Sequence, residues 1–376
     1  MHIAILGAGI NGLMSALEFL EQDSNITVSI FDQQQAAKAA SWAGGGILSP
    51  MYPWRYPQAV NDLAKYAMPL YQEWNEKLHP ITGIDFQIHH TGMLIFDEDD
   101  FEIGLAYANV HQNPIQQASY LQQEQLEQIN PFINQKYQQA IYFPHLANVR
   151  NPRLLQSIVA FLKQHPRITL YENCTIERLN IQNRTIQSIT NIKGEVFKAD
   201  QYVLATGAWS KHWSEQLQLD IPVHPVQGQM VLFKTPENWL PTMCMNKVMY
   251  LIPRLDGHIV CGSSMRQVGF NLEPNSQVKQ NIIDACFDMV PELAQFPIVR
   301  EWAGLRPSSP QGIPYIGNFE HIENLWANFG HFRNGLCMAP ASAKLLTQLM
   351  FNLPTIENPT AYSPIHLTKQ SIAGEC

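Results

Sequence analysis

The sequence has little of what marks proteins that bind nucleic acids or membranes. Its 24 lysine and arginine residues are outnumbered by 32 aspartate and glutamate residues, which leaves a formal net charge of −8 and no long basic run. Such a surface attracts neither a nucleic-acid backbone nor an anionic lipid surface. The chain also lacks an apolar stretch of membrane-spanning length and a recognisable targeting segment. We therefore expect a cytoplasmic protein without a nucleic-acid or membrane partner.

Cysteine is scarce, and its six positions are scattered along the chain. There is no CxxC pair, and no histidine stands at metal-ligand spacing from a cysteine. These absences predict small buried side chains in a reducing compartment and argue against a structural metal. The six are Cys174, Cys244, Cys261, Cys286, Cys337 and Cys376.

The most informative feature that is present is a glycine-rich turn directly after the first predicted strand. Gly7, Gly9 and Gly12 have the spacing of a dinucleotide-binding turn. In such a turn the first glycine permits the tight bend, the second lets backbone approach a pyrophosphate, and the third lets the next helix pack closely. A second strand ends at Asp32, where a carboxylate can accept hydrogen bonds from a ribose. A strand-to-helix corner without a ligand would also need glycine, but the order of strand, turn, helix, strand and acid favours a bound dinucleotide.

The length predicts two domains, because 376 residues exceed what one hydrophobic core usually serves. We expect an α/β fold with a Rossmann-type FAD-binding domain and a second, α+β substrate domain built on a mostly antiparallel sheet. A three-stranded meander followed by a buried strand that ends at Gly207 favours a flavoprotein domain over a simple NAD dehydrogenase. The predicted division assigns residues 1–84, 146–220 and 301–376 to the FAD-binding domain, and 85–145 and 221–300 to the substrate domain.

Periodicity of apolar residues predicts the remaining elements. A second glycine cluster, Gly44–Gly46, indicates another place where backbone lies against a flat ligand, with a flexible loop as the alternative. The predicted helices are 60–78, one that begins at Asn151, 277–289 and 340–351, and the predicted strands are 175–181, 185–192, 195–198, 227–234, 249–254, 258–264, 298–305 and 324–329.

Several longer motifs, spread over nearly the whole chain, resemble the flavin amine oxidases of the D-amino-acid-oxidase type. They are Gly7–Gly12, Ala40-Ser41-Trp42-Ala43, Ala205-Thr206-Gly207-Ala208-Trp209-Ser210, Trp302-Ala303-Gly304-Leu305-Arg306-Pro307, Gly312-Ile313-Pro314-Tyr315-Ile316-Gly317 and Gly330-His331-Phe332-Arg333-Asn334-Gly335. The last three are similar above all to the branch of this family that oxidises glycine. The resemblance implies FAD held noncovalently, a two-domain fold, and oxidative deamination by hydride transfer to the flavin.

The resemblance also implies a substrate site. Arg306 stands at the position of the arginine that clamps the substrate carboxylate, a task that suits a planar guanidinium with paired N–H donors. Tyr250 would add a hydroxyl, Met265 would fill a small pocket, and Arg333 would lie close to the substrate and the flavin. The alternatives for the first three are an exposed arginine, a half-buried strand tyrosine and an ordinary core methionine. Arg254 is expected to be a structural ion-pair partner.

The predicted cofactor contacts form a larger set with two departures from the family pattern. Relatives usually carry a basic residue where this chain has Gln33, and they often have alanines where it has Gly44–Gly46. No cysteine lies between Cys286 and Cys337, which argues against a covalent flavin tether near Arg306. The predicted contacts are Gly7, Gly9, Ile10, Asn11, Gly12, Asp32, Gln33, Ser41, Trp42, Ala43, Gly44, Gly45, Gly46, Ile176, Thr206, Gly207, Trp209, Arg306, Gly330, His331, Arg333, Asn334, Gly335 and Leu336. Within this set His331 is expected to be structural, because hydride transfer needs no catalytic base.

The implied activity converts glycine, oxygen and water to glyoxylate, ammonia and hydrogen peroxide through an imine, and supplies thiazole synthesis in thiamine biosynthesis. The partners would be a small amino acid and oxygen. A sarcosine or D-amino acid oxidase, and a flavin dehydrogenase that passes electrons to a quinone, remain open alternatives. Relatives are often homo-oligomers, so a homo-oligomer is expected here as well.

Overall fold

The first predicted strand, β1 (His2–Leu6), lies inside a six-stranded sheet. The structure is a computed structural model, and it describes residues 1–110 and 117–367. β1 pairs in parallel with a strand on each side, and only one edge strand of the sheet runs antiparallel. With strands numbered in chain order, the spatial order is β18 (Tyr315–Phe319), β19 (Ile322–Phe329), β12 (Gln201–Leu204), β1, β2 (Thr27–Phe31) and β8 (Ile168–Tyr171).

A second sheet of eight strands is antiparallel except where β14 pairs with β4. Together the two sheets confirm the predicted fold class of a parallel α/β unit joined to a mostly antiparallel one. The order of the second sheet is β17 (Ile298–Ser308), β13 (His224–Lys234), β16 (His258–Gly262), β15 (Tyr250–Pro253), β14 (Met243–Met245), β4 (Met93–Ile95), β6 (Gln139–Phe143) and β5 (Ser119–Gln122).

The remaining strands of the described residues form two smaller sheets. The predicted meander is present as β9 (Ile176–Gln182), β10 (Thr185–Asn191) and β11 (Val196–Phe197), and a short pair is formed by β3 (His89–His90) and β7 (Ala147–Asn148). The helices of the same residues are α1 (Ile10–Gln22), α2 (Ala40–Ala43), α3 (Gln58–Ala64), α4 (Ala67–Thr82), α5 (Phe101–Val110), α6 (Gln123–Ile129), α7 (Asn151–Gln164), α8 (Ser214–Leu217), α9 (Ser276–Met289) and α10 (Gly335–Met350).

Alternation along β1 explains how the six-stranded sheet is covered. Ile3 and Ile5 belong to one apolar core, shared with α1, α4, α7 and α10, whereas Ala4 and Leu6 belong to another, shared with the meander. Successive side chains of a strand point to opposite faces, so helices cover one face of the sheet and the meander covers the other. A separate core joins α9 to the second sheet.

Two predicted helices differ from those observed. The helix expected at 60–78 is divided into α3 and α4, because the chain turns at Lys65 and Tyr66. The last helix begins at Gly335 and includes Pro340, although it was expected to begin near that proline. Proline has no N–H to donate to the carbonyl four residues before it, and here the freed carbonyl of Leu336 accepts a hydrogen bond from the Tyr71 hydroxyl at 2.7 Å.

The sequence-based domain boundary at residue 301 crosses a strand. β17 is one strand of the eight-stranded sheet, so residues 301–308 lie in the second sheet and not in the first. The short pair of β3 and β7 also crosses the predicted boundary at residue 145, and the division into domains remains a prediction.

The described residues also bear on membrane, metal and cysteine chemistry. Helices in residues 1–110 and 117–367 are too short or too polar to span a bilayer. No group of three or more histidine, cysteine, aspartate or glutamate side chains in those ranges is arranged to hold a metal ion. Five cysteines are free thiols, of which Cys244, Cys261, Cys286 and Cys337 are buried, whereas Cys376 lies outside the described residues.

Asn324 joins the meander to the six-stranded sheet. Its side-chain oxygen accepts a hydrogen bond from the Ile186 N–H at 2.8 Å, and its side-chain nitrogen donates to the Ile186 carbonyl at 3.0 Å. Asn324 is 7% exposed and Ile186 is 2% exposed, so both bonds are shielded from water. Asn324 therefore attaches the meander to β19 through a pair of shielded hydrogen bonds, beside the backbone bond from the Glu323 N–H to the Arg184 carbonyl.

We predict that Asn324→Ala lowers the free energy of unfolding, because it leaves two buried backbone groups without partners at a cost of about 1–3 kcal/mol each. Urea denaturation followed by circular dichroism measures the effect. The control is Gln187→Ala on the same strand, where the side chain is exposed and the change is expected to stay within about 0.5 kcal/mol. Equal stability of the two variants would contradict the assigned role of Asn324.

Candidate active site

A cavity of about 450 Å³ is lined by residues of both large sheets. Most of the residues predicted to contact cofactor or substrate lie along it, although they are far apart in the sequence. They are Gly7, Gly9, Ile10, Asn11, Asp32, Gln33, Ser41, Ala43, Gly44, Gly45, Gly46, Ile176, Thr206, Gly207, Trp209, Tyr250, Arg306, Arg333, Asn334, Gly335 and Leu336. An elongated, polar ligand that touches both sheets would fit this arrangement.

The glycine-rich turn has the geometry that its sequence predicts. Gly7 has φ of +109°, and a Cβ atom there would lie 2.4 Å from the Ala205 carbonyl oxygen. A Cβ atom on Gly12 would lie 2.0 Å from the Gly7 carbonyl oxygen, so Gly12 serves the packing of α1 against the turn and does not line the cavity. The first turn of α1 borders the cavity, and its free N–H groups favour an anion.

Asp32 follows the end of β2, and each of its carboxylate oxygens accepts a hydrogen bond from a backbone N–H. Oδ2 accepts a hydrogen bond from the Ala8 N–H and Oδ1 accepts one from the Gln34 N–H, each at 2.8 Å. Burial raises the pKa of Asp32 above its ordinary value, and these two hydrogen bonds oppose that rise. A carboxylate has about four acceptor sites, so Asp32 can still accept from the hydroxyls of a ribose.

Several buried polar atoms along the cavity have no hydrogen-bond partner in the described residues. They are Oδ1 of Asn11, Nε of Arg333 and Nδ2 of Asn334. Buried polar groups are normally paired, so these atoms point to a polar ligand that supplies the missing partners. Together with the open space where a Cβ atom would lie on Gly207, they show that the residues present fit a dinucleotide with polar groups along its length.

Arg306 on β17 is a partly buried cation. Its guanidinium donates to the Ser264 carbonyl at 3.1 Å and to the Ser263 hydroxyl. Among residues 1–110 and 117–367 no carboxylate forms an ion pair with it, and burial lowers its pKa, an effect that the charge of nearby Arg333 reinforces. Space for the guanidinium exists because residue 228 is glycine, where a Cβ atom would lie 2.2 Å from the Arg306 nitrogen.

Tyr250 and Met230 form the wall next to Arg306. Tyr250 is 7% exposed, and its hydroxyl donates to the Met230 sulfur at 3.5 Å. Met230 is 1% exposed and lines the cavity. Met265 was expected to fill this pocket, but it is 57% exposed and does not line the cavity, because it follows the end of β16 in a loop that leaves the sheet.

The structure places three other predicted contacts beside the cavity and not along it. Trp42 packs against Trp302, with ring centroids 5.6 Å apart. Gly330 has φ of +83° at the bend after β19. His331 is fully buried between Asn11 and Ser342, at 3.3 Å and 3.0 Å, and burial lowers its pKa to about 3. It stays neutral at physiological pH and orients Asn11.

The role expected for Arg254 is wrong. No carboxylate forms a salt bridge with it in the described part of the chain; its guanidinium donates instead to Asn148 Oδ1, the Val149 carbonyl and the Gly45 carbonyl, at 2.5, 2.8 and 2.7 Å. The sequence offered no signal for these contacts, since the partners lie more than 100 positions away in the chain. Gly228 and Met230 were also missed, although alternation along β13 places both on one face of the strand.

Comparison with known proteins agrees with this geometry. The family model described as FAD dependent oxidoreductase matches residues 2–349. The chain is 39% identical over 363 residues to glycine oxidase of Pseudomonas putida, which covers 96% of this chain and 98% of that protein. It is 28% identical to the bifunctional protein ThiO/ThiG of a Nostoc species, and the match covers 93% of this chain and 52% of that protein.

Among solved structures, glycine oxidase from Geobacillus kaustophilus has the same fold. The TM-score is 0.89, the match covers 98% of both chains, and the sequences are 23% identical. From the match of the family model over most of its length and the identity to the Pseudomonas relative, this chain belongs to the family of FAD-dependent oxidoreductases.

Proposed function

We propose that this chain is an FAD-dependent glycine oxidase that deaminates glycine to glyoxylate, ammonia and hydrogen peroxide. The observation that carries the proposal is Arg306, a partly buried cation that lines the cavity and has no carboxylate partner in the described residues. A substrate with a carboxylate and almost no side chain would supply the missing charge and fit beside Tyr250 and Met230. The identity to the Pseudomonas glycine oxidase supports the same substrate.

In the proposed reaction the chain positions the substrate. Arg306 binds the carboxylate, and the Tyr250 hydroxyl exchanges its weak bond to Met230 for a charge-assisted one to the same carboxylate. These contacts orient the α-carbon toward the cavity, where FAD, when bound, accepts a hydride and later passes the electrons to oxygen. The substrate amine must be neutral for its lone pair to assist, and the neutral, hydrogen-bonded His331 takes no proton from it.

The proposed cofactor is held without a covalent bond. Cys337 lines the cavity, but burial raises the pKa of its thiol well above the ordinary value, so it stays protonated and unreactive. Cys174 lies at the Asp32 end, where its N–H donates to the Asp32 carbonyl. Acid precipitation that leaves the flavin in solution would agree with this part of the proposal.

We further propose that the product supplies thiazole synthesis in thiamine biosynthesis and that the chain acts as a cytoplasmic homo-oligomer. The similarity to a protein named ThiO/ThiG supports the biosynthetic role. The family resemblance supports the oligomer, and the net charge of −8 agrees with a protein that avoids anionic surfaces.

Anaerobic mixing with a panel of small amines tests the function. We expect glycine to bleach the bound flavin faster than sarcosine or D-alanine, because the pocket beside Met230 is small, and oxygen to restore the colour. Absorbance of the flavin, followed by stopped flow, gives both rates. Faster bleaching by sarcosine or D-alanine would favour the corresponding oxidase, and colour that returns with a quinone but not with oxygen would favour a dehydrogenase.

We predict that Arg306→Ala lowers kcat/KM for glycine by about 30- to several-thousand-fold, the equivalent of about 2–5 kcal/mol for a lost buried charge contact. Steady-state oxygen consumption measures the ratio. The control is Arg266→Ala, since Arg266 bonds Gln227 at 3.3 Å and does not line the cavity. An unchanged ratio in Arg306→Ala would remove Arg306 from the substrate site.

We predict that Met230→Ala raises kcat/KM for D-alanine relative to glycine by about tenfold, because room for one methyl group in an apolar pocket changes discrimination by about that much. Met265→Ala is the matched control: the same side chain is removed from an exposed position outside the cavity. A shift in Met265→Ala but not in Met230→Ala would restore the role that the sequence suggested for Met265.

A further inference from the structure

Three side chains hold the carbonyl oxygens of the second glycine-rich segment. The Ala43 carbonyl accepts from Trp302 Nε1 at 3.0 Å, and the Gly44 carbonyl accepts from Asn151 Nδ2 at 3.0 Å. The Gly45 carbonyl accepts from the Arg254 guanidinium at 2.7 Å. These donors come from β17, from α7 and from the residue after β15. Three consecutive carbonyls are thus fixed by parts of the fold that lie far apart in the sequence.

These three hydrogen bonds determine the direction of the N–H groups of Gly44, Gly45 and Gly46. In a trans peptide the carbonyl and the following N–H lie on opposite sides, and the peptide bonds of this segment are trans. The N–H groups of Gly44, Gly45 and Gly46 therefore point away from the three donors. They make no hydrogen bond in residues 1–110 and 117–367, and all three glycines line the cavity. Three N–H groups without a protein partner thus belong to residues that line the ligand space.

Arg254 makes more hydrogen bonds than Asn151 or Trp302. It is 6% exposed, and its other bonds go to Asn148 Oδ1 and the Val149 carbonyl, so one guanidinium joins the glycine segment to residues 148–149. Burial lowers its pKa to about 9, which leaves it charged at neutral pH. A lysine would keep the charge but cannot present a planar fork to three acceptors.

We infer that Arg254, assisted by Asn151 and Trp302, is a positioning residue that aims the amides of Gly44–Gly46 at the flavin. This inference rests on the proposed function in one respect only, that FAD occupies the cavity. Donors fixed in advance stabilise a group that gains negative charge without reorganising. Arg254 thereby strengthens FAD binding and, more strongly, binding of the reduced cofactor. It contacts the segment and not the substrate, so it acts through the backbone.

A purely structural role would leave the reduction potential unchanged. Loss of general stability lowers the amount of folded protein, but it does not favour the oxidised over the reduced cofactor in the molecules that remain folded. A loss of aligned N–H donors weakens the binding of both oxidised and reduced FAD, and it weakens the binding of reduced FAD more. The reduction potential therefore separates the two roles.

The test compares Arg254→Lys with wild type and with Arg150→Lys. Arg150 lies next to the same region and bonds Asp256 and Gln87, but it contacts neither the glycine segment nor the cavity. For Arg254→Lys we expect the FAD dissociation constant to rise about tenfold and the preference for reduced over oxidised FAD to fall a further tenfold, which lowers the two-electron potential by about 30 mV. Flavin fluorescence titration and equilibration with a reference dye measure the two values.

Arg150→Lys is expected to match wild type in both measurements. If Arg254→Lys also matches wild type, or if both lysine variants shift equally, the inference is overturned. Should Arg254→Lys fail to fold, Trp302→Phe decides the matter, since it keeps an aromatic ring and removes the indole N–H from which the Ala43 carbonyl accepts a hydrogen bond. A lowered potential in that variant supports the inference, and an unchanged one overturns it. Neither readout uses glycine, so the outcome is independent of the substrate.

Discussion

One guanidinium without an acidic partner is the constraint around which the site is arranged. Taking a cation out of water is costly unless an opposite charge and hydrogen bonds compensate it. At Arg306 the described residues supply neutral partners only, Ser263 and Ser264, and the compensating charge is left to a ligand. The fold provides the rest: Gly228 makes room for the guanidinium, and Tyr250 lies beside it.

A single face of β17 brings the two halves of the cavity together. Trp302, Gly304 and Arg306 alternate with residues that point the other way, as successive positions of a strand must. Trp302 bonds the Ala43 carbonyl, a Cβ atom on Gly304 would lie 2.4 Å from the Ala43 Cβ, and Arg306 faces the substrate space. The six-stranded sheet supplies the glycine-rich turn and Asp32, and this strand of the second sheet joins the segment that begins at Ala43 to Arg306.

The sequence predicted the strand, the glycine-rich turn and the first helix well, because local chemistry dictates them. A strand, a turn that only glycine permits and an acid at the next strand end all leave marks within 32 residues. The substrate half depends on contacts between distant segments. No local sequence pattern indicates that the partners of Arg254 are carbonyls. The sequence alone also does not show which of Met230 and Met265 lines the pocket. In the structure, Gly262 pairs with Tyr250 and is the last residue of β16, so Met265 lies beyond the strand. The Tyr250 hydroxyl contacts Met230 instead, and Met230 lies in the pocket.

Helix α10 begins beside the cavity, and a hydrogen bond from α4 holds its first turn. Pro340 leaves the Leu336 carbonyl without its helical donor, and the Tyr71 hydroxyl of α4 takes that place. The end of α10 that borders the ligand space is therefore bonded directly to α4. A ligand that binds only the folded state shifts the folding equilibrium toward that state by mass action. Bound FAD is therefore expected to protect the folded chain against proteolysis.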